Sequence, residues 1–143
     1  MEKNYFNLIQ SLKPADVIIA KKKTGLSSIL DHYIVYLGNN EFIGNLKGGV
    51  KYIYYSEFLE LLREYRPVKV RKFPINNPYE IEQAITRAEQ KIGQKYSFLG
   101  FNCEHFANWV QYGKQTSNQV TNGIVLLISI LFLQLIISSN GKR

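Results

Sequence analysis

One cysteine occurs in the 143 residues, Cys103, and it lies in the string Asn102-Cys103-Glu104-His105-Phe106 where a helix is expected to begin. The unpaired N–H groups and the dipole of a helix N-terminus stabilise an anion, so a thiol there is expected to ionise more readily than one elsewhere. Cys103 is therefore a candidate nucleophile, and a nucleophile needs a base. The chain has two histidines, His32 and His105. In a helix from Asn102 to about Tyr112, a residue two places on projects to a different side, so His105 should not reach the sulfur. His32 opens the run His32-Tyr33-Ile34-Val35-Tyr36-Leu37-Gly38, which reads as a strand. Its His32, Ile34 and Tyr36 share one face, with Tyr33, Val35 and Leu37 on the other. A strand can present His32 rigidly to the Cys103 helix.

The string His32-Tyr33-Ile34-Val35-Tyr36-Leu37-Gly38-Asn39-Asn40, followed by Tyr96 and then by Asn102-Cys103-Glu104-His105-Phe106, resembles the lecithin:retinol acyltransferase family. That family includes small phospholipase/acyltransferases and belongs with the NlpC-type, permuted papain-like thiol enzymes. The resemblance runs from Pro14 to Gly113, with Pro14-Ala15-Asp16-Val17-Ile18 similar to the family's opening strand. It implies an α+β fold, an antiparallel sheet packed against helices, with histidine preceding cysteine along the chain. It also implies that Cys103 is the acyl-accepting thiolate and that His32 deprotonates it and later serves the deacylating acceptor.

The third member of the site is where this chain departs from the family. A second family histidine, whose role is to orient the catalytic imidazole, would fall in a region that here reads Phe42-Ile43-Gly44-Asn45-Leu46. Asn45 lies one position beyond the expected place, and a neutral amide can hold an imidazole tautomer. A plain turn role for Asn45 is the competing reading. Tyr96 is either core packing or a hydroxyl near the site. Glu104 and His105 read as structural, Glu104 supporting the helix N-terminus electrostatically.

The implied chemistry is covalent thiol catalysis on an acyl ester, with a thioester on Cys103 and an acceptor assisted by His32. Water as acceptor gives hydrolysis; an amine or alcohol gives transfer. No cofactor or metal is called for. The missing histidine keeps open a catalytically weak or inactive membrane-bound interaction protein, and a thiol peptidase is a further alternative.

From Gly123 through Ile137 the chain is almost wholly apolar, and no charged residue occurs between Lys114 and Lys142. Roughly nineteen residues, Val120 to Ser138, would form a helix of about 28 Å, close to the hydrocarbon thickness of a bilayer. A helix apolar all round needs a large protein to bury it, and this chain is small, so a membrane span is expected. Its position implies a tail anchor, with only Ser139 to Arg143 beyond it. Nothing in Met1 to Ala20 resembles a secretory signal, and a lone cysteine fits a reducing compartment, so the catalytic part is expected on the cytosolic side.

The net charge is +7, with clusters Lys21-Lys22-Lys23 and Lys69-Val70-Arg71-Lys72. These suit an anionic lipid surface, which makes a phospholipid membrane and an acyl-lipid substrate the expected partners. Charge alone does not make a nucleic-acid binder, and no nucleic-acid motif accompanies it.

The organisation is residues 1–114 as the catalytic domain, 115–119 as linker and 120–138 as the span. A short helix is expected in Met1 to Leu12 and strands at Asp16–Ala20, His32–Leu37, Glu41–Leu46 and Val50–Tyr54, the last three an antiparallel meander. Lys21 to Asp31 is expected as a loop flanking the site. Ser56 is expected to cap a helix that runs to about Tyr65 and is ended by Pro67, and Val68 to Arg71 to form a strand. Asn77-Pro78-Tyr79-Glu80 starts a scaffold helix that Gly93 ends, with Glu80 closing a capping box.

Overall fold

The structure, a computed structural model, describes residues 2–140. Lys142 and Arg143, which follow the expected span, lie outside the described residues. The elements in chain order are α1 (Glu2–Gln10), β1 (Val17–Lys22), a 3₁₀ turn (Leu26–Ile29), β2 (Asp31–Gly38), β3 (Glu41–Leu46), β4 (Gly49–Ile53), α2 (Tyr55–Glu64), β5 (Tyr65–Arg71), α3 (Pro78–Glu89), α4 (Cys103–Tyr112) and α5 (Asn118–Asn140). The strands form one antiparallel sheet of order β4-β3-β2-β1-β5. Four strands run as a meander, and α2 then carries the chain back across the sheet to place β5 at the far edge. The α+β class holds, with the sheet packed against helices.

Alternation along the strands divides the interior into two apolar layers. Val17, Ile19, Tyr33, Val35, Ile43 and Val50 face α3 and α4, meeting Ala84, Ala88, Phe106, Ala107 and Val110. Ile18, Ile34, Tyr36, Phe42 and Ile53 face the other way, onto Phe58 and Leu62 of α2 and onto Ile9 and Leu12. At the centre of this second layer the rings of Phe42 and Phe58 stack with centroids 4.1 Å apart. Gly49 joins β4 to the exit of α3. It has φ +119°, a Cβ there would lie 2.5 Å from the Gln94 carbonyl oxygen, and Val50 N–H donates to that same oxygen at 2.9 Å.

Several boundaries differ from the sequence reading. β1 continues through Lys21 and Lys22, because both pair with β5 and Lys21 also pairs with Asp31 of β2. Ser56 is not the cap of α2: the helix begins at Tyr55, and Tyr54 precedes it in extended conformation without a side-chain cap. Pro67 does not end that helix, which already stops at Glu64; it sits within β5. An edge strand tolerates it, and a register irregularity between Ile19 and Ala20 falls where Lys69 and Pro67 are their partners. Asn77 caps α3 as expected, its Oδ1 accepting from Tyr79 N–H at 2.9 Å, but no bond from Glu80 closes a box there.

The candidate span is longer than expected at its start: Asn118–Ser138, 21 residues, is long and apolar enough to cross a membrane, and 6 % of its most apolar stretch is buried against the rest of the protein. At 1.5 Å per residue this is about 31 Å.

Replacing Phe42 by Ala should destabilise the domain by about 3–5 kcal/mol, since it removes a buried ring together with its stacking contact on Phe58. Thermal unfolding of the full chain in detergent micelles measures this as a lowered midpoint.

Candidate active site

The start of α4 is fixed by a reciprocal cap. Asn102 Oδ1 accepts from the N–H groups of Glu104 and His105, each at 3.0 Å. His105 Nδ1 in turn accepts from Asn102 N–H at 3.2 Å. A ring nitrogen that accepts carries no proton, so His105 is held neutral with its proton on Nε2. Burial pushes the same way, lowering its pKa against the opposing pull of Glu104. His105 is thus committed to the cap, where the box uses histidine in place of the usual Glu or Gln.

The sulfur reaches the sheet through a gap in its ladder. Tyr36 exchanges backbone bonds with the β1 side, donating to Asp16 O and accepting from Ala15 N–H, each at 2.8 Å. By alternation the backbone groups of His32 also point at β1, and those of Asp31 and Tyr33 point the other way, toward β3. The β2–β3 pairing ends at Ile34↔Gly44. Cys103 enters the vacated edge: its thiol donates to Asp31 O at 3.8 Å, and Tyr33 N–H points at the sulfur together with the N–H groups of Cys103 and Glu104.

His32 lies on the α2 face of β2. Its imidazole and Cys103 line one cavity whose other walls are largely apolar, among them Ile18, Ile34, Leu46, Phe58, Leu61 and Leu62. The Tyr65 ring meets the imidazole edge-on, centroids 4.8 Å apart at 72°. His32 Nε2 is buried and has no hydrogen-bond partner among the described residues. Asn45 is not brought to His32. The register that sets Ile34 against Gly44 puts Asn45 on the opposite face, beside α4. There its Nδ2 donates to Phe101 O at 2.6 Å, fixing the chain two residues before Cys103.

Tyr96 is 39 % exposed, and its hydroxyl pKa is raised by burial and then by the negative charge of Cys103 and Tyr65, which puts the three groups in one electrostatic neighbourhood. Tyr65 is absent from the sequence candidates, because in sequence it reads as the last residue of α2. Its place at the start of β5, beside Lys22, sets it on the face of Ala20 and His32.

The electrostatics run against the expectation of a ready thiolate. Burial pushes the Cys103 thiol up to about 11, outweighing the three backbone N–H groups that favour the anion, and the Glu104 charge adds to the rise. Desolvation beats the helix dipole here because the sulfur is nearly enclosed. The His32 pKa is lowered by burial and by Lys22, with Asp31 opposing. At neutral pH the cavity the two side chains line therefore holds a thiol and a neutral imidazole. Of the two basic clusters, Lys69-Val70-Arg71-Lys72 is only partly a charged surface: Lys72 pairs with the buried Asp16 at 2.9 Å, and Arg71 bonds Asn108 at 2.8 Å between the Tyr33 and Tyr112 rings. No cluster of metal-binding side chains occurs among the described residues.

A family model described as Lecithin retinol acyltransferase matches residues 10–116, which takes in the whole sheet, α3 and α4. The chain belongs to this family. Similar curated proteins include Phospholipase A and acyltransferase 2 of Homo sapiens, 41 % identical over 49 residues, covering 33 % of this chain and 30 % of the relative. Phospholipase A and acyltransferase 3 of Homo sapiens is 36 % identical over 63 residues, 38 % of this chain and 39 % of the relative. Phospholipase A and acyltransferase 1 of Rattus norvegicus is 38 % identical over 61 residues, 36 % of each. The chain therefore spans about a third of the length of the curated relatives it matches.

Because burial pushes the thiol up to about 11, iodoacetamide labelling of Cys103 should still be rising between pH 10 and 11, where an ordinary thiol has levelled off. Mass spectrometry of the labelled peptide across the alkaline range measures the midpoint, and a plateau by pH 10 contradicts the burial.

Proposed function

We propose that this chain is a membrane-anchored thiol enzyme that cleaves a glycerophospholipid acyl ester through a Cys103 thioester. The observation that carries the reading is the shared cavity: Cys103 and His32 line it together, and its remaining walls are mostly apolar, as an acyl chain requires. The names of the relatives, Phospholipase A and acyltransferase, support the same chemistry.

In this reading neutral His32 takes the thiol proton as sulfur attacks the ester carbonyl. The gap between a raised thiol pKa and a lowered imidazole pKa disfavours a resting ion pair, so proton transfer accompanies attack. The backbone N–H groups now facing the sulfur, at the start of α4 and at Tyr33, are suitably placed for the developing oxyanion. The imidazolium returns the proton to the leaving alkoxide, giving a free alcohol and the thioester. His32 then deprotonates water, an amine or an alcohol, which attacks the thioester carbonyl, and Cys103 leaves as thiolate and is reprotonated. Tyr65 would hold the imidazole plane by ring contact, in place of the family's second histidine.

Helix α5 would span the bilayer and keep the site beside its insoluble substrate, with the catalytic domain on the cytosolic face. The first turn of α5 bonds to Asp31, and Asp31 pairs with Lys21 at 3.0 Å. The Lys21-Lys22-Lys23 groove with Arg66, and exposed Ile29 next to it, therefore lie at the end of the domain from which the span departs. That arrangement suits anionic headgroups and an interfacial apolar contact.

A second reading, a weak or inactive membrane-bound interaction protein, is favoured by one observation: His32 Nε2 has no partner among the described residues and Asn45 faces away from it. The two readings part on fatty acid release from phosphatidylcholine vesicles by the full chain. Enzymatic turnover should vanish in Cys103→Ala with the fold unchanged by circular dichroism, and fall roughly 10³-fold or more in His32→Ala. A wild type no faster than Cys103→Ala leaves the interaction protein. Deleting residues 120–143 should move the domain into the soluble fraction on membrane flotation; continued flotation would mean a different attachment.

A further inference from the structure

Helix α5 is bonded into the catalytic centre by its first turn. Gln119 straddles Asp31: its Oε1 accepts from Asp31 N–H at 2.9 Å and its Nε2 donates to Asp31 O at 3.2 Å. That carbonyl is the one the Cys103 thiol also meets, at 3.8 Å. The side-chain amide thus occupies the β2 edge where β3 has departed, next to the sulfur and one residue before His32. A second tie runs to α4. The buried Glu104 carboxylate accepts from Ser117 Oγ at 2.6 Å and from Gln119 N–H at 3.0 Å. Ser117 Oγ also lies 3.4 Å from Asn102 Nδ2, within the cap that sets the start of α4.

We propose that Gln119 is a positioning residue for the Cys103–His32 pair, so that the membrane helix locks the nucleophile against the base strand rather than serving as a tether alone. The inference rests on the acyl-transfer reading for its catalytic consequence, but its geometry does not. Asp31 and Tyr33 offer backbone groups that must be satisfied once β3 leaves. Gln119 takes both groups of Asp31, leaving the Tyr33 N–H for the sulfur. A glutamine can do so because it carries a donor and an acceptor on one rigid plane, at the spacing of a peptide group. Without it, the start of the strand carrying His32 is held from the β1 side alone, and misplacement of reacting groups by about 1 Å costs on the order of 10²-fold in rate.

The test uses the full chain in phosphatidylcholine vesicles with two variants, Gln119→Ala and Gln119→Met. Methionine keeps the length and packing of glutamine and loses both hydrogen bonds, while Asp31, His32 and Glu104 stay in place. Both variants are expected to lose about 10- to 100-fold in kcat with KM within about twofold of wild type. Both should also move the pH midpoint of Cys103 iodoacetamide labelling downward, because a loosened edge admits water to the sulfur. Lower turnover with an easier-ionising thiol is a combination that simple loss of folded protein, scored by circular dichroism, does not produce with KM unchanged. Wild-type kcat and wild-type labelling midpoint in Gln119→Met would overturn the proposal. If the wild type is silent on lipid, the acyl-transfer reading fails by itself, and the labelling profiles still decide whether Gln119 holds the site.

Discussion

Two backbone residues at the start of β2 set the geometry of everything around the Cys103 sulfur. β3 pairs with β2 as far as Ile34↔Gly44 and then departs, leaving Asp31 and Tyr33 with polar groups aimed at a place no strand fills. Inside a protein such groups need partners. The Cys103 thiol and the Tyr33 N–H meet there, and Asp31 is completed by an amide from α5. The contact at 3.8 Å to sulfur is weak as a hydrogen bond, so its significance is positional. It holds the sulfur in the plane of the sheet, at the border between the two apolar layers.

That border position explains how residues from opposite faces share one cavity. Cys103 belongs to α4 and the layer of Tyr33 and Val35, and His32 belongs to the layer of Ile34 and Phe58. Within the sheet interior they would be separated by backbone. At a vacated edge there is no intervening strand. The same enclosure raises the thiol pKa and lowers that of the imidazole, so the resting site carries neither charge. Two neutral groups in a mostly apolar cavity avoid the cost of burying an ion pair.

The meander of β2, β3 and β4, the helix α4 and the apolar helix α5 are legible in the sequence because each rests on local periodicity, a turn or a cap, whereas the places of β1 and β5 in the sheet are not. Nor is the face on which Asn45 lies. It depends on the turn Gly38-Asn39-Asn40, where both asparagines take positive φ, 50° and 61°, and on the register irregularity between Tyr36 and Gly38. One residue gained or lost there flips every side chain of β3 to the other face, and counting positions along a chain cannot see it. Tyr65 is hidden for a similar reason: its relation to His32 passes through two strand pairings, β5 to β1 and β1 to β2. The thiol's ionisation departs from the sequence expectation because the helix dipole is visible in sequence order and desolvation is not.

Glu104 makes the last connection between α5 and Cys103. In sequence it reads as support for the start of α4, and its own backbone N–H is held there by Asn102. Its carboxylate, however, turns to the start of α5, taking the Ser117 hydroxyl and the Gln119 N–H. Among the described residues no lysine or arginine pairs with it, although it is 3 % exposed. The partial positive charge of a helix N-terminus, about half an elementary charge, is the counterweight available. Since Glu104 also raises the Cys103 pKa, whatever neutralises Glu104 eases ionisation of the sulfur. Helix α5 therefore stands in two relations to the Cys103 sulfur at once: through Gln119 it bonds the strand edge beside it, and through its dipole it offsets the buried carboxylate that opposes the thiolate.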